Sequence, residues 1–196
     1  MTSASDPGGT GRLRPAVLWF TGYSGAGKTT IALALQQQLQ RVGQRVDVLD
    51  GDVMRQDLCS DLTFSDADRA ENIRRVTAVA KLMFDAGSVV IVALISPLQA
   101  HRDAARKAFA PDEFFEIFID TPLGVAEARD PKGLYRRARA GLMKDFTGVD
   151  AVYESPVQPD LHIKTVDMNP VEAAMQIFAN LTRVNVNRPT LEVDAS

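Results

Sequence analysis

The chain has 196 residues, of which 45% are hydrophobic and 24% are charged, and its formal net charge is −3. This length fits one domain with a sizeable core, and the balance of residue types is typical of a soluble globular protein. The slight negative charge argues against a nucleic-acid partner, because proteins that bind nucleic acid carry a basic surface.

The ends of the chain and its cysteine content bear on location. Residues 1–14 contain no apolar segment, so we expect a disordered leader that is not a signal peptide. No run is long enough to span a membrane, and we expect no membrane partner. One cysteine, Cys59, permits no internal disulfide, which favours a cytoplasmic protein and an inert thiol. We expect the polar tail, residues 183–196, to be flexible.

Apolar runs alternate with helical periodicity along the rest of the chain. Ile31, Leu35 and Leu39 fall on one face of a helix that ends at Gly43. The run at 89–95 is apolar on both faces, as in a central parallel strand. The predicted strands cover residues 16–20, 45–49, 89–95, 115–119 and 161–165.

Helix boundaries are marked by capping residues. Ser65 and Asp68 resemble a capping box, and the helix that they open stops at Gly87. Ser96, followed by proline, reads as the N-cap of another helix. A closing helix is predicted over residues 170–181.

The most informative stretch is residues 22–29, which fits the phosphate-loop pattern of Gly, four residues and Gly-Lys-Ser/Thr. It stands between a predicted strand and a predicted helix, the context that the motif requires. Its glycines let backbone N–H groups approach phosphate oxygens, and the helix N-terminus adds positive charge. We expect Lys28 to reach the β- and γ-phosphates and Thr29 to hold Mg²⁺. The alternative is a glycine-rich turn that binds nothing.

Strands alternating with helices around this motif predict an α/β fold. We expect a P-loop NTPase three-layer sandwich, with a mostly parallel five-stranded sheet and helices on both faces. The kinase domain is predicted to cover residues 15–182, with a lid around residues 129–146. Ligands should gather at the carboxyl ends of the strands.

Two carboxylates, Asp50 and Asp52, follow the second predicted strand. Paired carboxylates beside a phosphate loop suit Mg²⁺, and one of them can accept a proton from an attacking hydroxyl. The alternative is a tight Asp-Gly-Asp turn, where these residues are common for backbone reasons.

Two basic clusters follow further along the chain. The first contains Arg55, Arg69, Arg74 and Arg75, and guanidinium groups match phosphate and sulfate oxygens. The alternative is a solvated helix face paired with neighbouring acidic residues. The second cluster, residues 129–139, suits a lid that excludes water from a triphosphate, and its alternative is a basic surface helix.

Taken together, the motifs resemble the adenylylsulfate kinase (APS kinase) family of P-loop kinases. The resemblance spans about residues 15–165 and is far more specific than the phosphate loop alone. It is carried by residues 22–29, 49–52, 64–65, 68–69, 71–75, 80–82, 95–97, 120–123, 129–135, 138–141 and 146–148.

The resemblance implies transfer of the γ-phosphoryl of ATP to the 3′-hydroxyl of adenylyl sulfate, giving 3′-phosphoadenylyl sulfate and ADP. It implies catalytic roles for Lys28, Asp52 and Ser96, of which Ser96 matches a serine described as phosphorylated in the family. Metal binding is implied for Thr29 and Asp50. The implied ATP site is Gly22, Tyr23, Ser24, Gly25, Ala26, Gly27, Lys28, Thr29, Thr30 and Arg129. The implied acceptor site is Asp52, Arg55, Phe64, Arg69, Asn72, Ile95, Ser96, Lys132 and Phe146.

The resemblance further implies that Phe64 and Phe146 sandwich the acceptor's adenine. It also implies Mg²⁺ as cofactor, a homodimer, and a functional link to an ATP sulfurylase. Three positions depart from the family's usual pattern, namely Thr63, Val53 and Leu98, and none of them removes a charged group.

Three other functions compete with this one. A P-loop kinase for a different small acceptor would share the loop and the lid but not the paired phenylalanines. A GTPase switch would need an Asn-Lys-x-Asp guanine-binding motif, which the sequence lacks. A catalytically silent relative that serves as a binding subunit is the third alternative, and the presence of Lys28, Thr29, Asp50 and Asp52 argues against it.

Overall fold

A computed structural model describes residues 13–186. Its centre is a five-stranded sheet in the order β2-β3-β1-β4-β5, and every strand pair is parallel. The predicted three-layer α/β sandwich is therefore confirmed. The strands are β1 (Val17–Thr21), β2 (Val46–Asp50), β3 (Val89–Ala93), β4 (Phe114–Asp120) and β5 (Leu161–Lys164).

Helices connect the strands and cover both faces of the sheet. They are α1 (Lys28–Arg41), α2 (Gly51–Asp57), α3 (Asp66–Asp85), α4 (Gln99–Arg106), α5 (Leu123–Arg129), α6 (Leu134–Arg139) and α7 (Pro170–Val186). Helices α1 and α7 pack together on one face, and α3 and α4 pack together on the other.

The central strand β1 explains how the two faces are built. All five of its residues are buried, because alternate side chains enter different layers. Leu18 and Phe20 pack with the α1–α7 layer, whereas Val17 and Trp19 pack with the α3–α4 layer. Its position between β3 and β4 brings the carboxyl ends of all three strands to one rim.

The start of α3 shows how local chemistry sets a boundary. The Ser65 hydroxyl accepts a hydrogen bond from the Asp68 amide at 3.2 Å, as predicted for an N-cap. The reciprocal half of the capping box is absent from this helix start. Asp68 instead accepts hydrogen bonds from the amide, at 2.9 Å, and the hydroxyl of Thr63.

Some boundaries differ from the predicted ones. Ser96 is not an N-cap, since α4 begins at Gln99 and Leu98 occupies the cap position. The Asp-Gly-Asp segment opens a short helix, α2, whose N-cap is Asp50. The last helix reaches Val186, so residues 183–186 belong to α7 and not to the predicted tail.

Most of the predicted leader and tail lies outside the described residues, namely 1–12 and 187–196. Within residues 13–186, no helix is both long enough and apolar enough to cross a membrane.

Candidate active site

The phosphate loop joins β1 to α1 in a conformation that requires glycine. Gly22 has φ 152°, and a Cβ atom there would lie 2.4 Å from the carbonyl oxygen of Ile119. Gly27, with φ 98°, occupies the cap position of α1. A side chain at Gly22 would therefore push the loop away from β4, and the left-handed backbone at Gly27 would be strained. The loop consequently presents the N-terminus of α1 to the site.

Lys28 is buried within this loop. Its Nζ donates hydrogen bonds to the carbonyl oxygens of Gly22 at 2.8 Å and Tyr23 at 2.7 Å. Burial, and secondarily the charge of Lys132, lower the pKa of Lys28 to about 7, while Asp50 acts in the opposite direction. A triphosphate bound beside this amino group would raise its pKa again and favour the charged ammonium form.

Thr29 and Asp50 meet at the start of α1. The Thr29 hydroxyl donates a 2.6 Å hydrogen bond to Asp50 Oδ2, and Asp50 Oδ1 accepts from the Asp52 amide at 2.9 Å. A hydroxyl and a carboxylate supply the hard oxygen atoms that Mg²⁺ prefers. The donor set at this position fits the expected cation.

Asp52 and Lys132 form an ion pair between α2 and the segment before α6. Both side chains are about half exposed, at 57% and 50%. The structure thus brings together two residues, far apart in sequence, that were both predicted to contact the acceptor.

Arg69 joins the two segments that carry the predicted aromatic sandwich. Its Nε donates to the carbonyl oxygen of Phe64 at 2.8 Å. Its Nη1 donates to the hydroxyl of Thr147 at 2.9 Å, and its Nη2 to the carbonyl oxygen of Asp145. Phe146 lies between these last two residues, so one buried guanidinium fixes the backbone on both sides of the cleft.

The two phenylalanines differ in their surroundings. Phe64 is 41% exposed, and the guanidinium carbon of Arg55 lies 4.4 Å from its ring centroid, a cation–π contact. Phe146 is 6% exposed and meets the Tyr135 ring edge-on at 5.0 Å. Phe146 lines the cavity and is also a core residue, since it packs in a small apolar cluster with Ala126, Ala138 and Tyr135.

Asn72 adds an open acceptor to the site. Its side chain is buried, and its Oδ1 has no hydrogen-bond partner among residues 13–186. An orphaned buried amide oxygen is costly, so a ligand donor is expected to satisfy it.

The other two arginines of the cluster serve the fold. Arg74 binds Glu71 through two hydrogen bonds of 2.7 and 2.8 Å. Arg75 binds Glu71 at 2.9 Å and Asp61 at 2.6 and 2.8 Å. The surface-pair alternative therefore accounts for these two residues, whereas Arg55 and Arg69 line the cavity.

Ser96 follows β3 and has an unusual backbone. Its φ is 39°, its side chain is 3% exposed, and its Oγ accepts a 3.1 Å hydrogen bond from Trp19 Nε1. Arg102 Nη1 donates to its carbonyl oxygen at 2.7 Å. Trp19 and Arg102 belong to no motif, and sequence analysis missed both of them because the fold brings them to Ser96. Thr147 lies in the motif at 146–148, but its contact with Arg69 was missed because the two residues are far apart in the chain.

One cavity of about 820 Å³ collects these groups at the carboxyl ends of the strands. Of the predicted site residues, Gly22 and Tyr23 do not line it and instead give their carbonyl oxygens to Lys28. Thr165, Met168 and Pro170 also line it and were missed. The predicted residues that do line it are Ser24, Gly25, Ala26, Gly27, Lys28, Thr29, Thr30, Asp50, Asp52, Arg55, Phe64, Arg69, Asn72, Ile95, Ser96, Arg129, Lys132 and Phe146.

The predicted lid segment, residues 129–146, contains the whole of α6 and packs against the phosphate loop. The Tyr135 hydroxyl donates a 3.0 Å hydrogen bond to the carbonyl oxygen of Ser24. Asp130 accepts from the amides of Tyr135 and Arg136, each at 3.1 Å, which fixes the start of α6. Arg139 pairs with Glu127 on α5 at 2.8 Å.

Comparison with known proteins identifies the family. A family model described as adenylylsulphate kinase matches residues 14–164. The adenylyl-sulfate kinase of Yersinia pestis is 60% identical over 148 residues, 76% of this chain and 70% of the relative. A bifunctional enzyme CysN/CysC of Xylella fastidiosa is 53% identical over 167 residues, 85% of this chain but 27% of the relative.

Solved structures agree with this assignment. The Mycobacterium tuberculosis APS kinase CysC in complex with AMPPNP and APS is 48% identical, with a TM-score of 0.82, covering 86% of this chain and 98% of that chain. The site described above lies within the matched region. The chain therefore belongs to the adenylylsulfate kinase family.

Proposed function

We propose that this protein transfers the γ-phosphoryl of ATP to the 3′-hydroxyl of adenylyl sulfate, giving ADP and 3′-phosphoadenylyl sulfate. The observation that carries the proposal is the single cavity that joins the phosphate loop to Phe64, Arg69 and Asn72. The Mycobacterium tuberculosis relative, whose structure contains both AMPPNP and APS, supports two nucleotide sites in one cleft.

The chemistry is an in-line displacement. The acceptor's 3′-oxygen forms a bond to the γ-phosphorus, the bond from that phosphorus to the β,γ-bridging oxygen breaks, and ADP leaves with the electron pair. Asp52 takes the proton of the 3′-hydroxyl. Lys28 stabilises the charge that spreads over the γ-phosphoryl oxygens, and Arg129 adds positive charge from the lid segment.

We assign Mg²⁺ to Thr29 and Asp50, whose oxygen atoms lie 2.6 Å apart. The cation would neutralise charge on the β- and γ-phosphates when bound. The same hydrogen bond holds the Thr29 hydroxyl at the first turn of α1, where the phosphate loop ends.

The acceptor is held on the other side of the cleft. Phe64 offers an exposed ring face for the adenine, and Phe146 supports the opposite wall. Arg55 and Lys132 supply positive charge for the phosphosulfate group, and Asn72 Oδ1 accepts a hydrogen bond from the ligand. Ser96 and Ile95 complete the floor beneath it.

The lid segment is proposed to close over bound nucleotides and exclude water, so that phosphate is transferred and not hydrolysed. Limited proteolysis should cut within residues 129–146 in the free protein and be suppressed by an ATP analogue with adenylyl sulfate. Equal cleavage with and without the ligands would contradict a lid.

Assembly and location are further parts of the proposal. We propose a cytoplasmic homodimer. The free thiol of Cys59, which is buried and whose pKa is raised by burial, supports the reducing compartment and has no bearing on the dimer. The bifunctional CysN/CysC relative supports a functional link to the enzyme that makes adenylyl sulfate, an ATP sulfurylase. Sedimentation equilibrium tests the dimer directly, and a monomer across the micromolar range would contradict it.

The function is tested by product analysis. Purified protein with Mg²⁺ and ATP is offered adenylyl sulfate, adenosine 5′-monophosphate, shikimate and gluconate, and the products are separated by ion-exchange chromatography. We expect kcat/KM for adenylyl sulfate to exceed every other value by at least about 100-fold, because the site's buried polar groups stay unpaired with the wrong acceptor. A faster reaction with another acceptor would establish the alternative, a P-loop kinase for a different small molecule.

A further inference from the structure

Residues 95–98, which lie between β3 and α4, are held by hydrogen bonds from several elements. The Thr21 hydroxyl donates to the carbonyl oxygen of Ile95 at 2.7 Å. The Glu154 amide donates to the carbonyl oxygen of Pro97 at 2.8 Å. Four such contacts, counting those of Trp19 and Arg102 with Ser96, fix a short loop at the floor of the cavity.

Arg102 is the centre of this arrangement. Its side chain is 1% exposed, and its Nε forms a 2.6 Å ion pair with the buried Glu116. The remaining nitrogens donate to Ser96 O at 2.7 Å, Gln99 Oε1 at 2.6 Å and Glu154 O at 2.7 Å. A buried, paired guanidinium of this kind has a fixed orientation, so it holds the Ser96 carbonyl oxygen in one place.

The backbone of Ser96 shows what this restraint achieves. A φ of 39° is rare for a residue other than glycine and persists only where the surroundings impose it. The bond from Arg102 stabilises this conformation by anchoring the carbonyl group. The hydroxyl of Ser96 is thereby brought to Trp19, while the residue still lines the cavity.

The hydrogen bond from Trp19 has only one possible direction. An indole N–H is a donor and never an acceptor, so Ser96 Oγ must accept. The Ser96 proton is then left for another acceptor, and the described part of the chain supplies none. A nucleophilic serine needs a base to remove its proton, and no carboxylate or imidazole within residues 13–186 bonds this hydroxyl.

We propose that Arg102 and Trp19 are positioning residues that present the Ser96 hydroxyl as a hydrogen-bond donor to the anionic group of the acceptor. This inference rests on the proposed function, because it takes the phosphosulfate oxygens of adenylyl sulfate as the acceptor atoms. Ser96 then binds substrate and forms no covalent intermediate.

Helix α4 offers a matched pair of variants. Arg106 lies one turn after Arg102 and also approaches Glu116, at 3.6 Å, but it binds Asp160 and Phe114 O and not Ser96. In Arg102→Lys the charge beside Glu116 is kept, while one ammonium cannot reproduce the three-nitrogen fork. In Arg106→Lys the same chemical change is made without touching the loop.

Steady-state kinetics with adenylyl sulfate then separate positioning from general stability. We expect Arg102→Lys to raise KM for adenylyl sulfate about 10-fold and to leave KM for ATP unchanged, the scale of a lost charge-assisted hydrogen bond. Arg106→Lys should match the wild type. In a Ser96→Ala background, which itself keeps measurable turnover, Arg102→Lys should add little, because the two changes remove one interaction.

A spectroscopic readout covers the case in which Arg102→Lys fails to fold. Trp19 is the chain's single tryptophan, so its emission reports this one hydrogen bond. When Ser96 donates to a bound anion, its oxygen becomes a stronger acceptor for Trp19, and emission should shift to the red. The shift should vanish in Ser96→Ala at saturating adenylyl sulfate.

Equal KM values for the two arginine variants, or an undiminished shift in Ser96→Ala, would overturn the inference while wild-type turnover remains. Loss of all activity in a well-folded Ser96→Ala variant, or trapping of a kinetically competent phosphoserine, would overturn it too. Absence of turnover by the wild-type protein would overturn the proposed function and this inference together, so the two failures are distinguishable.

Discussion

The donor side and the acceptor side of the cleft are built on opposite principles. The phosphate loop is local, since one strand, the six residues 22–27 and one helix place Lys28 and Thr29. The acceptor side is assembled from segments far apart in the chain, and Arg69 holds Phe64 and Thr147 in one network. A local motif keeps its geometry when its surroundings change, whereas an assembled one depends on each buried contact.

This contrast predicts that the largest loss comes from the donor side. Lys28→Ala removes the buried side chain that we propose stabilises the transferred phosphoryl group, and we expect kcat to fall at least about 100-fold. The initial rate of ADP formation at saturating substrates measures this kcat. Lys81→Ala is the control, because that lysine pairs with Asp85 on α3 and does not line the cavity. Turnover near the wild-type rate in Lys28→Ala would remove the assignment.

The next effect concerns folding and not chemistry. Phe146 is buried against Tyr135, so Phe146→Ala should lower the free energy of unfolding by about 3–5 kcal/mol. Urea titration measures this. Phe64→Ala serves as its partner and should cost less than about 1 kcal/mol, since its ring is partly exposed. Equal destabilisation by the two variants would show that the acceptor walls do not differ.

Phe64→Ala should act on binding. A stacked aromatic contributes roughly 1–3 kcal/mol to a base, so adenylyl sulfate should bind about 5- to 150-fold more weakly, with ATP affinity nearly unchanged. Calorimetric titrations of both nucleotides decide this. Phe64→Tyr keeps the ring and should keep most of the affinity. Unchanged binding in Phe64→Ala would argue against an adenine-bearing acceptor.

A smaller effect tests the buried network itself. Thr147→Val removes the hydroxyl that accepts from Arg69 while two other bonds remain, so KM for adenylyl sulfate should rise about 2- to 10-fold. Thr147→Ser keeps the hydroxyl and should restore the value. If Ser and Val variants behave alike, the Arg69 contact does not shape the acceptor side.

The smallest expected effect is the uptake of a proton by Lys28 when ATP binds. Because the pKa of Lys28 is lowered to about 7, this side chain is mostly neutral at pH 8, and a bound triphosphate favours its charged form. ATP binding at pH 8 should therefore take up as much as one proton. Calorimetry in buffers with different ionisation enthalpies measures the uptake, and Lys28→Met should abolish it. Binding heats that are independent of the buffer would contradict the expectation.

Periodicity and turn residues were sufficient for most of the fold. Each predicted strand appears within two residues of its observed bounds. Strands β1 and β3 are continuous apolar runs, whereas β2, β4 and β5 interleave apolar and polar residues. Helix α2 was not predicted, since seven residues without a buried face give no periodic signal. Helix α7 continues past its predicted end at residue 181 to Val186, and residues 182–186 contain no proline or glycine that would stop it.

The site was predictable where its residues are adjacent in sequence. The phosphate loop and the Thr29–Asp50 pair follow from one motif and one strand end. Ser96 was misassigned as a cap because a local Ser-Pro signal competes with bonds from Trp19 and Arg102. The burial of Phe146 was not predicted either, because its partners Ala126, Tyr135 and Ala138 lie at other places in the chain. Such contacts exist only after folding.

The central place of β1 has a consequence for synthesis on the ribosome. Val17 pairs with Val90 on one side and with Phe114 on the other, and α1 packs against α7 near the end of the described chain. The strand that carries the phosphate loop leaves the ribosome before both of its neighbours, which follow about 70 and 100 residues later. The nascent protein should therefore acquire nucleotide binding only after α7 has emerged.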